Sequence, residues 1–254
     1  MSAPGPSGET AWRVEWLEEV DSTNGLLLER ARAGEAEGLV IAARAQRRGR
    51  GRLGRSWHSP PGKGLYFSAL LRPPLPPGRA PLCTLLAGVA AAEALSSLSG
   101  VPVGLKWPND LRACRKKLGG ILCEYEPGGG PPPAVVVGIG VNLSGEGADF
   151  PPELRGRATS LREAGGRLAS PPEALNLLLR RLDFWYKELV RTGFEPMRRR
   201  WMEMCDNLGQ EVAVSAQSET LRGRILGIDD AGRLLLASPG GEVHRAEAGE
   251  VIET

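Results

Sequence analysis

The spacing of apolar residues along the chain predicts a mixed α and β architecture. Short runs that are continuously apolar, or that alternate with polar residues, are typical of strands. Six runs have this character: residues 12–20, 38–43, 64–71, 101–106, 118–126 and 134–143. The run G-L-V-I-A-A at 38–43 predicts a buried strand that leads directly into a stretch rich in Arg and Gly.

Apolar residues at helical spacing predict four helices. The segments are residues 25–33, 81–98, 170–192 and 195–207. Ser22 is a good N-cap for the first helix. In the third, Ser170 is the expected cap, and Glu173 completes a capping box. The leucines and aromatic residues of that helix fall on one face, which is typical of core packing and not of a ligand pocket.

The last part of the chain has a different texture. After Gly209, short alternating runs are separated by turn signals such as D-D-A-G and S-P-G-G, which predicts a small all-β barrel. We therefore expect a flexible tail over residues 1–11, a mixed α+β domain over 12–207 and a barrel over 208–254.

Composition is that of an ordinary globular protein. Of the 254 residues, 41% are hydrophobic and 24% are charged. No apolar run approaches the ~18–20 residues of a bilayer span, and residues 1–8 lack the features of a signal peptide, so we expect a cytoplasmic protein. The four cysteines form no C-x-x-C pair and there are only two histidines, which argues against zinc-ribbon and multi-histidine metal sites.

Positive charge is concentrated in one part of the chain. Residues 38–92 contain no Asp or Glu, although the whole chain carries a net charge of only +2. At the centre of this zone lies R-A-Q-R-R-G-R-G-R-L-G-R-S, residues 44–56. Such a zone attracts a nucleotide, another phosphate or carboxylate ligand, or a nucleic acid.

The glycines of this stretch fit two nucleotide-binding patterns only superficially. Gly49, Gly51 and Gly54 match G-x-G-x-x-G, and a near match to the phosphate loop has Arg55 in the place of Lys. Both patterns need a helix directly afterwards, whereas S-W-H-S-P-P-G-K-G follows here. We interpret the stretch as a loop between strands, in which Gly permits close approach to a ligand and Arg supplies cationic forks.

Six motifs in a fixed order point to one family. They are D-S-T-N at 21–24, Q-R-R-G-R-G-R-L-G-R-S-W at 46–57, G-L-Y-F-S at 64–68, K-W-P-N-D at 106–110, K-K-L-G-G-I-L-C-E at 116–124 and G-I-G-V-N at 138–142. From about residue 14 to the barrel, this series closely resembles the biotin protein ligases. The resemblance implies an α+β catalytic domain related to class II aminoacyl-tRNA synthetases, followed by a small SH3-like barrel.

The resemblance also implies a two-step reaction with biotin and Mg-ATP. The biotin carboxylate attacks the α-phosphate, giving biotinyl-5′-AMP and pyrophosphate. A lysine on the carrier domain of a biotin-dependent carboxylase then displaces AMP. Because the first step joins two anions, fixed cations lower its barrier. A closing loop would protect the adenylate from water, and we expect the Arg/Gly loop to be mobile when the site is empty.

The residues that match the family's site fall into two groups. The expected biotin site comprises Ser22, Thr23, Asn24, Gln46, Arg50, Gly51, Arg52 and Lys117. The expected nucleotide site comprises Arg50, Arg52, Trp57, Trp107, Asn109, Asp110 and Asn142. The resemblance gives the catalytic roles to Lys117 and Arg52. No metal-binding cluster of protein side chains is expected, because Mg²⁺ would arrive with ATP and lie near Asp110.

Two features depart from some relatives. About 13 residues precede the first catalytic strand, too few for the helix-turn-helix domain of relatives that repress transcription, so we expect a monofunctional ligase that binds neither DNA nor a membrane. Some relatives also direct an Arg from the end of the barrel to the nucleotide. This chain ends in G-E-V-I-E-T, which leaves the barrel's part in ATP binding open. The choice between monomer and homodimer is also open.

Two alternative functions fit part of the sequence. A lipoate or octanoate ligase or transferase shares the fold and the kind of carrier, although D-S-T-N and the Arg/Gly motif favour biotin. A nucleic-acid-binding module fits the basic zone and the barrel. Against it, the zone holds only Trp57, Tyr66 and Phe67 as aromatic residues, and no RNA-binding motif appears.

Overall fold

The computed structural model describes residues 10–128, 133–215 and 220–253, and within these ranges the chain forms two β-sheets and four α-helices. The tail predicted over residues 1–11 therefore lies mostly outside the described residues. The predicted order, an α+β part followed by an all-β part, is confirmed.

The first sheet has seven strands. These are β1 (Arg13–Val20), β2 (Leu39–Gln46), β3 (Gly64–Leu71), β4 (Gly104–Lys106), β5 (Asp110–Ala113), β6 (Lys116–Glu126) and β7 (Ala134–Asn142). Their order across the sheet is β1-β2-β3-β7-β6-β5-β4, and only β1 and β2 pair in parallel. The sequence pattern missed β5, because a strand of four residues is too short to show alternation.

Four helices accompany this sheet. They are α1 (Thr23–Arg32), α2 (Leu82–Ser99), α3 (Pro171–Thr192) and α4 (Glu195–Met204). The predicted caps of α1 and α3 form: Ser22 Oγ accepts from the backbone N–H of Gly25, and Ser170 Oγ accepts from that of Glu173, both at 3.3 Å. The Glu173 carboxylate, expected to complete a capping box, instead accepts from Arg167 at 2.8 Å.

Helix α4 ends three residues before the predicted position 207. The backbone of Cys205 is already extended and bridges Leu105 of β4 in parallel. The N–H of Asp206 then donates to Leu105 O at 3.1 Å. Because this pairing takes the backbone out of the helix, a tertiary contact, not the local sequence, decides where α4 ends.

Helix α2 lies in the core. Residues Pro77–Ser99 are long and apolar enough to cross a membrane, with a mean hydropathy of 1.5, so the expectation that no apolar run approaches that length was wrong. However, 78% of the 18-residue window within this range that has this hydropathy is buried inside the protein. The helix packs against α3, α4 and the first sheet, which is typical of a core helix.

The second sheet follows α4. Its strands are β8 (Glu211–Ser215), β9 (Thr220–Ile228), β10 (Leu234–Ala237), β11 (Val243–Ala246) and β12 (Glu250–Glu253), in the order β11-β10-β9-β8-β12 and all antiparallel. Inward residues such as Val214 and Ile225 belong to the same buried cluster as α2. The second sheet is thus joined to the first by a shared core.

Candidate active site

A cavity of about 640 Å³ lies between the first sheet and the end of the second. It is lined by the start of α1, the loop after β2, strands β5–β7 and the segment 249–253. All the sequence-predicted site residues line it: Ser22, Thr23, Asn24, Gln46, Arg50, Gly51, Arg52, Trp57, Trp107, Asn109, Asp110, Lys117 and Asn142. The fold therefore gathers residues from five motifs around one space of a size ordinary for a small-molecule site.

One part of the cavity is a fixed array of amide and hydroxyl groups. Gln46 Oε1 accepts from the backbone N–H and the hydroxyl of Thr23, at 2.9 and 3.2 Å. Asn24 Nδ2 donates to Glu124 Oε2 at 2.9 Å, and its Oδ1 lies 2.5 Å from Ser68 Oγ. Thr23 and Asn24 are buried. Such an array is pre-oriented for a ligand that both donates and accepts hydrogen bonds.

Ser22 has two roles in this structure. Its hydroxyl caps α1, as the sequence predicts, and the residue also lines the cavity. The start of α1 therefore places three consecutive site residues at the cavity wall, and Ser22 lies at the junction between the preceding loop and the helix. A helix end fixed in this way holds its side chains in place before any ligand binds.

Two glycines of β7 make room for the site, and sequence reasoning did not identify them. A methyl group on Gly138 would overlap Asn24 Oδ1, and one on Gly140 would overlap Trp57 Nε1. The available signal was glycine at alternate positions inside an apolar strand, in G-I-G-V-N. Such a pattern marks a face that something else approaches closely.

The Arg/Gly loop is folded back on itself. The N–H of Gly51 donates to Arg55 O at 2.7 Å, and the N–H of Trp57 donates to Gly49 O at 2.8 Å. Leu53 adopts a left-handed conformation, with φ of 54°. Backbone bonds across the loop give it a defined shape, and Arg50, Arg52 and Arg55 line the cavity. The mobility expected of the empty loop stays a prediction.

Two of the cavity cations have carboxylate partners on the first sheet. Lys117 Nζ lies 2.6 Å from Asp110 Oδ1 and 5.7 Å from the centre of the Trp57 ring. Arg50 donates to Glu124 Oε1 at 2.7 Å. Glu124, which the motif analysis did not single out, therefore joins Arg50 to the amide array, because its other oxygen accepts from Asn24.

Arg52 is bonded differently. Its Nη1 approaches two neutral oxygens, Asn109 Oδ1 at 3.3 Å and Gly249 O at 3.4 Å. Burial lowers the pKa of the Arg52 guanidinium, with the negative charges of Asp110 and Glu250 acting against that shift. Since an Arg stays protonated at neutral pH even so, a half-buried positive charge faces the cavity, and among the described residues its hydrogen-bond acceptors are neutral.

The second sheet also reaches the cavity, at Gly249 and Glu250. Arg55 Nη1 donates to Glu250 Oε1 at 3.0 Å, and Arg55 Nη2 donates to Glu250 Oε2. This pairing raises the pKa of Arg55 and lowers the pKa of Glu250. The segment G-E-V-I-E-T contains no Arg, and the sequence left the barrel's part in ATP binding open. In the structure, the second sheet contacts the Arg/Gly loop through the carbonyl of Gly249 and the carboxylate of Glu250.

Three of the predicted nucleotide residues differ in how freely they face the cavity. Trp107 is buried, and its Nε1 donates to Gly232 O at 3.0 Å, so the ring also fixes the second sheet to the first. Asn142 Nδ2 donates to Thr159 O at 3.0 Å. Trp57 Nε1 is buried without a hydrogen-bond partner among the described residues. Such a donor is available to a ligand.

Sequence comparisons give relatives over most of the chain. Residues 16–142 match the model of the Biotin/lipoate A/B protein ligase family, and residues 208–252 match that of the biotin protein ligase C-terminal domain. A biotin–acetyl-CoA-carboxylase ligase of Paracoccus denitrificans is 34% identical over 235 residues, covering 89% of this chain and 94% of that protein. The bifunctional ligase/repressor BirA of Bacillus spizizenii is 35% identical over 222 residues, 87% and 68% of the two chains.

Solved structures show the same architecture. The biotin protein ligase of Aquifex aeolicus, solved in complex with biotin and ATP, matches with a TM-score of 0.80 and 31% identity, over 94% of this chain and 97% of that one. The match spans both sheets and hence the cavity between them. The ordered motifs, the site they build and these relatives together show that the chain belongs to the biotin protein ligase family.

Proposed function

We propose that this protein is an ATP-dependent ligase that activates biotin as biotinyl-5′-AMP and transfers it to a lysine of a biotin carboxyl carrier domain. Relatives named as biotin–acetyl-CoA-carboxylase ligases and the neighbour solved with biotin and ATP support this function. The observation that carries it is the cavity itself, which has a buried amide and hydroxyl array together with the cations Arg52 and Lys117.

The polar array is where the ureido ring of biotin fits best. A ureido group presents one carbonyl and two N–H groups, and Thr23, Asn24 and Gln46 supply complementary donors and acceptors. Lipoate and octanoate lack these groups, so they would leave buried amides without new partners, which is costly. The site therefore favours biotin over the lipoate or octanoate alternative.

The cations suit the first chemical step. A biotin carboxylate oxygen forms a bond to the α-phosphorus of ATP, the bond to the bridging oxygen breaks, and the electron pair leaves on pyrophosphate. We assign Arg52 and Lys117 to the negative charge that accumulates there, with Arg50 and Gly51 covering the bound acid. Cations that are already oriented cost no reorganisation during the reaction.

The same cations serve the second step. The neutral ε-amine of the carrier lysine attacks the carbonyl of the adenylate, AMP leaves with the electron pair of the broken bond, and the nitrogen loses one proton to solvent. Positive charge held at the phosphate by Arg52 and Lys117 stabilises that leaving group. The folded-back Arg/Gly loop keeps water from the anhydride until the lysine arrives.

We assign the remaining predicted residues to the nucleotide and its magnesium. Trp57, Trp107, Asn109 and Asn142 line the same cavity as the polar array. Among the described residues no group of three or more His, Cys, Asp or Glu is placed to hold a metal. Mg²⁺ commonly binds one or two carboxylates and otherwise phosphates and water, so Asp110 fits an ion carried by ATP. Bound there, the ion would neutralise triphosphate charge.

The test is a two-stage assay with the purified full chain. Biotin, ATP and MgCl₂ should give pyrophosphate and biotinyl-5′-AMP, and adding an unmodified carrier domain should give one biotin per carrier and release AMP. Lipoate and octanoate run in parallel should release far less pyrophosphate. Equal activation of lipoate, or no pyrophosphate with biotin, would contradict the proposal. A cytoplasmic location, the absence of DNA binding and the oligomeric state stay predictions.

A further inference from the structure

Arg112 of β5 is a buried cation that joins three segments of the chain. It is 6% exposed. Its Nη1 and Nη2 donate to the two carboxylate oxygens of Glu253 in β12, the second at 3.3 Å. Nη1 also reaches Asp206 Oδ1 at 3.3 Å, in the connection between α4 and β8, and Nη2 donates to Arg115 O. One guanidinium thus joins β5, the connection between α4 and β8, and the last strand of the second sheet.

Glu253 is held from several sides. Besides Arg112, the guanidinium of Arg115 donates to it at 3.3 Å and the amide of Asn207 at 3.4 Å. Burial by itself raises the pKa of Glu253, but the hydrogen bond from Arg112 together with the positive charges of Arg112, Lys106 and Arg115 leaves the net pKa lowered. A two-pronged Arg–carboxylate pair in which the Arg is buried fixes geometry as well as charge. The end of β12 is therefore locked to β5.

The other end of β12 contacts the Arg/Gly loop. Gly249 O accepts from Arg52, and Glu250 pairs with Arg55 through both guanidinium nitrogens. Gly249 has φ of 148°, and a side chain there would lie 2.7 Å from Ser215 O. Only glycine lets the backbone enter β12 with this carbonyl turned toward the loop.

We propose that Arg112 and Glu253 are positioning residues for the ATP half of the reaction. They hold β12 so that Gly249 and Glu250 keep Arg52 and Arg55 over the nucleotide side of the cavity. The second sheet of this chain thus acts on ATP through the loop, without a cation of its own in β12. The inference rests on the proposed function, because that function defines which side of the cavity takes ATP.

The polar array has no direct bond to β12 among the described residues, although Glu124 links it to Arg50 of the Arg/Gly loop. The side chains of the array bond to one another, to Ser59 after β2, to Ser68 of β3 and to β6. Loosening β12 should therefore weaken ATP use and leave binding of the biotin ring intact. If Arg112 and Glu253 only stabilised the fold, their substitution would change the affinities for ATP and biotin together or leave both unchanged.

The experiment compares Glu253→Gln and Arg112→Met with a matched pair of control variants. Glu93 of α2 has the same kind of surroundings, with Arg200 at 2.7 Å, Trp185 Nε1 at 3.1 Å and a second arginine nearby. It lies outside the cavity lining, so Glu93→Gln and Arg200→Met are the controls. KM for ATP is measured from pyrophosphate release, and Kd for biotin is measured calorimetrically without ATP.

We expect Glu253→Gln and Arg112→Met to raise KM for ATP at least tenfold and to change Kd for biotin less than twofold. The controls should leave both constants within twofold of the original. An unchanged KM for ATP, an equal rise in both constants, or an equal effect of Glu93→Gln would overturn the inference. Glu253→Gln is nearly isosteric and keeps the test available if Arg112→Met does not fold.

Failure of the proposed function would look different. The unsubstituted protein would then release no biotin-dependent pyrophosphate, and no KM could be measured for any variant. An active unsubstituted protein whose variants keep the original KM for ATP would overturn the positioning role alone.

Discussion

At the scale of single residues, two cations of the site form ion pairs with carboxylates of the same chain. Lys117 rests on Asp110, Arg50 rests on Glu124, and each cation is about half exposed. Partly exposed ion pairs are weak, so incoming phosphate and carboxylate groups can compete for these cations at little cost. A residue whose ion pair contributes so little to stability can be removed with little effect on folding.

Lys117→Ala should therefore reduce biotin-dependent pyrophosphate release by about 10²–10³-fold, as removal of one oriented charge-stabilising donor does. Thermal unfolding should stay nearly unchanged. Lys63→Ala is the matched control, because Lys63 also pairs with one carboxylate, at 3.0 Å, and is 42% exposed against 40% for Lys117. A Lys117→Ala enzyme with full adenylation rate would remove this residue from the catalytic role.

Gly138→Ala tests the polar array. The new methyl group must displace Asn24, because it would overlap the amide oxygen. Overpacking costs about 1–3 kcal/mol, so Kd for biotin should rise about tenfold or more in a calorimetric titration. Gly78→Ala, where the added methyl group meets open space, should leave Kd unchanged. Unaltered biotin affinity in Gly138→Ala would place the ring elsewhere.

At the scale of elements, the four-residue strand β12 is tied to the first sheet at both ends, by Glu250 to the Arg/Gly loop and by Glu253 to β5. Edge strands this short gain little from their own ladder of hydrogen bonds. The side-chain pairs at the ends thus decide where the strand lies. Since both carboxylates must be ionised to pair, the placement of β12 depends on pH.

Glu253→Gln should reveal this dependence. The pKa of Glu253 is lowered from its ordinary value of 4.5, so its stabilising effect is full above pH 4.5 and is lost as pH falls through the folded-state pKa. At pH 7 the variant should unfold about 1–3 kcal/mol more easily in urea, and this difference should vanish in acid. Burial raises the pKa of neighbouring Asp206, but that group is present in both proteins. A difference that persists at low pH would contradict the assignment.

At the scale of the whole molecule, one buried cluster runs through both sheets. It includes Val137 of the first sheet, Leu86 of α2, and Val214 and Ile225 of the second sheet. The cavity is also lined from both sheets. A shared core and a shared ligand site couple the two parts, so neither part should unfold on its own.

Scanning calorimetry should accordingly show a single unfolding transition. Biotin at 100 times its Kd should add about 2.7 kcal/mol to the free energy of unfolding and move the whole transition upward. A non-hydrolysable ATP analogue should move it further. Two transitions, of which only one responds to ligand, would show that the second sheet is not coupled to the site.

Much of the fold follows from local pattern. Continuous apolar runs located β2, β3 and β7, and cap residues located α1 and α3, because period and capping are properties of adjacent residues. Strand β5 and the end of α4 were missed, because pairing with distant backbone decides them. Helix α2 is apolar enough to cross a membrane by length and composition, and only the structure shows that protein covers it, since 78% of the window is buried.

The sequence by itself determined the family, because six ordered motifs carry that information without coordinates, and it predicted site residues that all line one cavity. Only the tertiary structure decided which charge each site residue faces. Glu124 ends one of the six motifs, but nothing local indicates which cations Glu124, Glu250 and Glu253 face, since those partners are 74, 195 and 141 positions away along the chain. Contacts over such separations exist only once both sheets have packed on one core, and they set how the loop, the cavity and the last strand act together.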